Sequence, residues 1–240
     1  MSGQVVVTGA AGGIGAALAG HFLGLGWPVT GIDVAPFLGQ LAVAPGFLGL
    51  HADITDEAAV EAAFETAAAR GPITALLANA AVTDFDHRDV LSLPYATWAR
   101  VLRVNLDGAF LTARAGARRM GKGNIVFVTS SLALLAEAKA NDAPYCTSKA
   151  AVEMLARVLA LELAPRGINV NTLFPRAIVD TGFFAHWPEA ERRRLLSPPT
   201  ILNASAAFLA TLAPGAATGR SLDQERWDRD AAYRAEWGAT

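Results

Sequence analysis

One arrangement near the N-terminus constrains the fold more than anything else in this chain. Gln4 to Thr8 (QVVVT) is a β-branched run that reads as a buried strand. The turn Gly9-Ala-Ala-Gly12-Gly13-Ile14-Gly15 follows, and then apolar residues recur at helical spacing at Ile14, Leu18, Phe22 and Leu25. Gly26 and Pro28 end that helix, and Val29 to Asp33 (VTGID) reads as a second strand. Strand, helix and strand within about 30 residues is the length of a parallel βαβ unit.

The alternation continues. A third strand is expected to end within His51 to Ile54, after a loose Pro/Gly segment. Thr55 or Asp56 caps a helix running to about Arg70, and Thr74 to Ala78 is a fourth strand. A long helix covers Tyr95 to Met120, a strand Asn124 to Ser130, a helix Pro144 to Ala164 and a strand Ile168 to Phe174. Strands alternating with helices, with few hairpin signals, predict an α/β fold: a doubly wound parallel sheet of Rossmann type. No composition break divides the 240 residues, so residues 1–240 are read as one domain. The irregular, aromatic stretch of about 175–200, with Phe183, Phe184 and Trp187, is read as a substrate loop or lid. Residues 220–240 form an atypical, charged C-terminal tail.

Composition removes several classes of function. A net charge of −2 and a pI near 6.1 exclude the basic face that nucleic-acid binding needs. Met1 to Ile32 carries no formal charge, but seven glycines from Gly9 to Gly26, together with Pro28, break it, so no membrane span is expected. Cys146 is the single cysteine, and the four histidines (His21, His51, His87, His186) have no i, i+4 pair. Neither a disulfide framework nor a metal site is expected, and a reducing, cytoplasmic setting fits. Cys146 reads as a small packing residue and Arg192-Arg193-Arg194 as a solvated helix face.

The glycine turn carries the first chemistry. Glycines there allow a tight turn and let the backbone approach a pyrophosphate, while the helix N-terminus supplies amide donors. Asp33 stands 18 positions after Gly15, at the end of the second strand. A carboxylate there accepts both adenosine ribose hydroxyls and repels a 2′-phosphate. No Lys or Arg lies within Val34 to Gln40, so NAD is expected over NADP.

The second chemistry is Tyr145-Cys-Thr-Ser-Lys149. On a helix, i and i+4 share a face, so Tyr145 and Lys149 project into one site. A phenol with pKa about 10 is a poor proton shuttle near neutrality, and a nearby ammonium favours the phenolate. Only three lysines occur in the chain, which makes this one informative.

Taken in order, Thr8-Gly-x-x-x-Gly-x-Gly15, Asn79-Ala80-Ala81, Asn105, the strand ending in Ser130 and Tyr145-x-x-x-Lys149 resemble the short-chain dehydrogenase/reductase superfamily over about residues 4 to 181. The resemblance implies that Tyr145 is the general acid/base and that Lys149 binds the nicotinamide ribose and lowers the Tyr pKa. It implies that Ser130 holds the substrate oxygen and that Asn105 positions a water in the proton relay. Gly9, Gly12, Gly13, Ile14, Gly15, Asp33, Asp53, Ile54, Asn79, Ala80, Pro175, Ile178 and Thr181, with Tyr145 and Lys149, would line the cofactor. Asp53 and Ile54 would flank adenine, and Ile178 and Thr181 the carboxamide end of the nicotinamide. Subunit pairing through the helices around Asn105 and Tyr145, giving a homodimer or homotetramer, is also implied.

Three departures bear on the pocket. Ser131 and Ser130 lie 14 and 15 residues before Tyr145, farther than the family's usual spacing, so Ser131 stands as an alternative to Ser130. The usual Pro-Gly is Pro175-Arg176, where Arg176 either anchors an anionic substrate or points to solvent. The usual Asp-Gly-Gly ending is replaced by Leu222-Asp223-Gln-Glu-Arg-Trp227. The expected function is an NAD-dependent oxidoreductase interconverting a small-molecule secondary alcohol (polyol, sugar, steroid or similar) and its ketone. A carbonyl or imine reductase, and a catalytically idle NAD-binding regulator or scaffold, stand as alternatives.

Overall fold

The computed structural model describes residues 3–37 and 39–239. Met1, Ser2, Leu38 and Thr240 lie outside the described residues, and with them both ends of the 1–240 domain reading. The first half runs β1 (Gln4–Thr8), α1 (Gly13–Gly24), β2 (Val29–Asp33), the one-turn α2 (Gly39–Ala42), β3 (Phe47–His51), α3 (Glu57–Arg70) and β4 (Ile73–Ala78). The second half opens with α4 (Tyr95–Leu102), α5 (Gly108–Arg119), β5 (Gly123–Val128), α6 (Ala143–Leu163) and β6 (Ile168–Phe174). It closes with α7 (Glu189–Leu195), α8 (Asn203–Ala210), β7 (Ser221–Asp223), α9 (Gln224–Arg229) and α10 (Ala231–Glu236). The strands form one parallel sheet in the order β3-β2-β1-β4-β5-β6-β7, the doubly wound architecture expected.

The central strands are apolar on both faces, which is why they read as continuous hydrophobic runs. Val6, Leu76, Ile125 and Phe127 point into a core with α3, α5 and α6. Their neighbours Val5, Val7, Leu77 and Val126 point the other way, into a core with α1 and α8. Buried polar side chains are bonded rather than exposed. Gln4 donates to the Ala67 and Gly71 carbonyls and accepts from Thr30. Asn124, Asn169 and Asn171 stitch the 210–220 connection to the sheet.

Four readings change at the level of elements. The third strand is Phe47–His51: it ends at His51, within the expected His51 to Ile54, but begins inside the loose Pro/Gly segment. The long helix from Tyr95 is not continuous α-helix: Arg103–Asp107 is a π turn, which inserts one residue and turns buried Asn105 inward. β5 ends at Val128, and Ser130 instead caps a 3₁₀ turn over Ser131–Ala133. The charged tail is folded. Asp223 and Asp230 cap α9 and α10 through their side chains, and Trp227, Tyr233 and Trp237 are buried in the α1/α8 core.

Candidate active site

The strand order reverses between β1 and β4, and the crevice at such a switch point is where ligands bind in open α/β sheets. The glycine turn and Asn79-Ala80 form its two lips. Asn79 donates to the Thr8 and Gly9 carbonyls and its backbone N–H donates to Thr8 Oγ1, which locks the lips together. Gly9 has φ +68°, and a Cβ there would lie 2.8 Å from Ala80 Cα. A Cβ on Gly15 would fall 2.0 Å from the Gly9 carbonyl oxygen. Those glycines are demanded by the protein's own packing.

Gly12 is different. Its backbone is extended, it stands at the N-cap of α1 with no side-chain cap, and a Cβ there would meet no protein atom within 4 Å. Side chains at this point would fill only the cradle over the helix N-terminus, so the turn fits a dinucleotide pyrophosphate held by the α1 amides. Asp33 faces the same turn: one carboxylate oxygen accepts from Ala11 N–H at 2.9 Å, the other from Ala35 N–H. Asp53 accepts from Thr55 N–H, and buried Ile54 packs against Gly108 of α5. Thr181 overlies Gly13. Pro175 follows β6 directly, and the Ile178 side chain is exposed while its carbonyl accepts from Ser197 N–H.

Tyr145 and Lys149 do share a face of α6, with Lys149 Nζ 5.7 Å from the centre of the Tyr145 ring. Lys149 is buried and donates to the Val128 carbonyl at 2.9 Å. Of the two serines, Ser130 is the one whose hydroxyl acts on the Tyr145 phenol, while its Oγ also accepts from Leu132 N–H. Burial pushes that phenol up to about 12; the Ser130 bond opposes this, and the Asp142 carboxylate adds to it. The lowering expected from Lys149 does not appear: it is not among the groups that shift the phenol, and desolvation sets the direction. Burial likewise pushes Lys149 down to about 8, with Glu153 opposing. Asn105 has both amide hydrogens engaged, donating to the Val82 carbonyl and to Ser148 Oγ, and its oxygen accepts from Val82 N–H. Its side chain thus pins the loop after β4 to α6.

The aromatic loop supplies the wall that sequence reasoning left open. Phe183 stands edge-on to Tyr145, ring centres 6.3 Å apart, and Phe85 stands edge-on to Phe183 at 5.9 Å. The base of the loop is clipped by a bridge between Val179 and Ser197 and by Arg192, which binds Asp180 at 2.8 Å. Arg192 is thus a tether rather than part of a solvated face. Arg176 is partly exposed and engaged within the chain: it pairs with buried Asp223 at 2.6 Å and with Glu137 at 2.8 Å. Phe85, His87, Asp142 and Glu153 were not singled out by the sequence. Phe85 and His87 sit in an irregular loop, and His87 reaches Asp142 across 55 residues of chain. Among the described residues no cluster of three or more His, Cys, Asp or Glu could hold a metal, and no helix is long and apolar enough to cross a membrane.

Residues 4–192 match the short chain dehydrogenase family. The chain is 33% identical to D-threitol dehydrogenase of Mycolicibacterium smegmatis, over 92% of this chain and 91% of the relative. It is 35% identical to cis-4-hydroxycyclohexanecarboxylate dehydrogenase of Sinomonas cyclohexanicum, over 90% and 92%. Among solved structures it is similar to a putative NAD(P) dependent gluconate 5-dehydrogenase from Beutenbergia cavernae with bound NADP, with a TM-score of 0.80, 30% identity and coverage of 92% and 94%.

Proposed function

The chain belongs to the short-chain dehydrogenase family, and on that premise we propose that it interconverts a secondary alcohol and its ketone using NAD. One observation carries the reading: Ser130, Tyr145 and Lys149 meet at the mouth of a crevice whose glycine turn fits a dinucleotide pyrophosphate. The nicotinamide ring supplies hydride acceptance when the cofactor is bound, and its positive charge favours an anion beside it.

The rest is the work of this chain's side chains. Ser130 Oγ and the Tyr145 hydroxyl hold the alcohol oxygen. Tyr145, as phenolate, takes the hydroxyl proton at its phenol oxygen. Burial, with the Asp142 carboxylate adding to it, raises that phenol to about 12, so its ionisation awaits added positive charge in the site. Lys149, donating from Nζ, contributes part of that charge and would reach the cofactor ribose. Asn105 acts here as a positioning residue, holding Val82 and Ser148 where the pocket wall needs them. The same groups run the reverse reaction with proton donation by Tyr145.

Asp33 supports NAD: its carboxylate lies against Ala11 of the turn, where a 2′-phosphate would meet like charge. Gly9, Gly12, Gly13, Ile14, Gly15, Asp53, Ile54, Asn79, Ala80, Pro175, Ile178 and Thr181 are proposed as the remaining cofactor contacts. The aromatic edges of Phe183 and Phe85 favour a substrate that presents C–H faces, as a polyol chain, a sugar or an alicyclic ring does. Phe110 of α5 and Met154, Val158 and Leu161 of α6 are exposed. The α6 three recur at helical spacing, and they support pairing of two copies, in a cytoplasmic homodimer or homotetramer.

The experiment pairs wild type with Tyr145→Phe. Fluorescence titration is expected to give tighter NADH than NADPH binding for both proteins, and turnover of secondary alcohols only for wild type. Turnover retained by the variant overturns the mechanism, and tighter NADPH overturns the reading of Asp33.

A further inference from the structure

Glu153 is a carboxylate that the mechanism above does not use, yet the fold builds a seat for it. Thr129 donates to one oxygen at 2.6 Å, Thr172 to the other at 2.9 Å, and Ser221 donates to that second oxygen as well. The three hydroxyls come from the end of β5, from β6 and from β7, so neighbouring strands converge on one side chain of α6. As a carboxylate it can only accept, and all three donate. Lys149, one turn earlier on the same helix, does not pair with it. Its ammonium goes to the carbonyl of Val128, the residue just before Thr129. Adjacent residues at the end of β5 thus hold the lysine and the glutamate apart.

We propose that Glu153 is a positioning residue for the alcohol–ketone reaction: its fixed negative charge keeps the buried Lys149 protonated and so preserves the cation beside Tyr145. Tyr145, Lys149 and Glu153 stand at i, i+4 and i+8. Along the helix axis Glu153 is about 6 Å from Lys149 and about 12 Å from Tyr145, so it supports the ammonium more than it opposes the phenolate. The support is needed, because burial pushes Lys149 down to about 8 and Glu153 is what opposes that push.

Other charges facing this stretch of α6 are already matched or lie at the surface. Asp142, beyond Tyr145, is bound by His87 and Lys139. Arg103 and Asp107 of the π turn are exposed. On α5, Arg114, Arg118 and Arg119 pair with Glu57 and Glu61 of α3. At the end of β7, Asp223 is bound by Arg176.

The catalytic consequence rests on the functional reading above; the electrostatic coupling does not. The chain has three lysines, Lys122, Lys139 and Lys149, so protein carrying ¹³C at lysine Cε gives a resolvable NMR titration without cofactor or substrate. In wild type one resonance, that of Lys149, is expected to titrate near 8. In Glu153→Gln its midpoint falls by about 1 pH unit. Glu153→Asp, which keeps the charge, holds it close to wild type. Should the Gln variant fail to fold, Glu153→Ala, which lets water meet the three hydroxyls, gives the same fall. The alkaline limb of kcat/KM follows the Lys149 midpoint downward in the charge-removing variant. An unchanged Lys149 midpoint overturns the proposal, as does a uniform loss of kcat with an unshifted pH profile. Absence of turnover in wild type overturns the functional reading, while the NMR midpoints still decide the coupling.

Discussion

The two ends of the crevice are built on opposite principles. At the glycine turn the geometry is set by backbone pressed on backbone: Gly15 admits nothing larger because the Gly9 carbonyl lies where its Cβ would be. After β6 the chain is held by side chains reaching across long sequence distances. Arg176 ties Glu137 to Asp223, Arg192 ties Asp180, Trp227 lies against Phe208 at 4.3 Å and Arg220 lies over Trp237. A backbone contact at van der Waals limit has one solution in residue type. A side-chain tie has many, because another pair or an apolar contact can close the same gap. The cofactor end is therefore rigidly specified, and the substrate end is open to variation.

Substitutions at the two ends should differ accordingly. Gly15→Ala is the largest expected effect: displacing the turn costs about 3 kcal/mol and weakens NADH binding by roughly 100-fold, read by thermal unfolding and fluorescence titration. A variant with wild-type NADH affinity would break the contrast. Trp227→Ala comes next. Removing a buried indole from the α1/α8 core costs about 3 kcal/mol, while NADH affinity stays within about threefold of wild type because Trp227 packs on Phe208 of α8. Smallest is Arg176→Gly. The pair is partly solvated and Asp223 keeps the α9 amides as donors, so about 1 kcal/mol is lost. The effect should appear in KM for the alcohol rather than in cofactor affinity. Equal losses in both would mean that the tail ties hold the cofactor end as well.

Legibility in the sequence followed the same division. β1, the glycine turn, β2, a cap of α3 at Thr55 or Asp56 (it is Asp56) and the limits of β6 could be read because local backbone rules dictate those residue types. The i, i+4 spacing of Tyr145 and Lys149 was legible for the same reason. The start of β3 was hidden because it is an edge strand, partly exposed and interrupted by Gly49, whose missing Cβ makes room for the Phe37 ring. β7 has three residues and α9 and α10 six each, too short for any periodicity to register. The π turn adds a residue that spacing alone does not reveal. The fate of Arg176 depended on Glu137, 39 residues away, and Asp223, 47 residues away, and no local pattern encodes that. The high phenol of Tyr145 was missed because burial, unlike charge, cannot be read from neighbours in the chain.

The central place of β1 sets the pace at which this molecule can assemble. Its partners are β2, close in sequence, and β4, whose Ile73 pairs with Gln4. Until some seventy residues have been gathered in, the run Val5-Val6-Val7 has one edge and both faces unsatisfied. Parallel pairings across such spans are slow to close, and uncovered β-branched segments are sticky meanwhile. Refolding from denaturant should therefore lose yield steeply with protein concentration, and dilution should recover it.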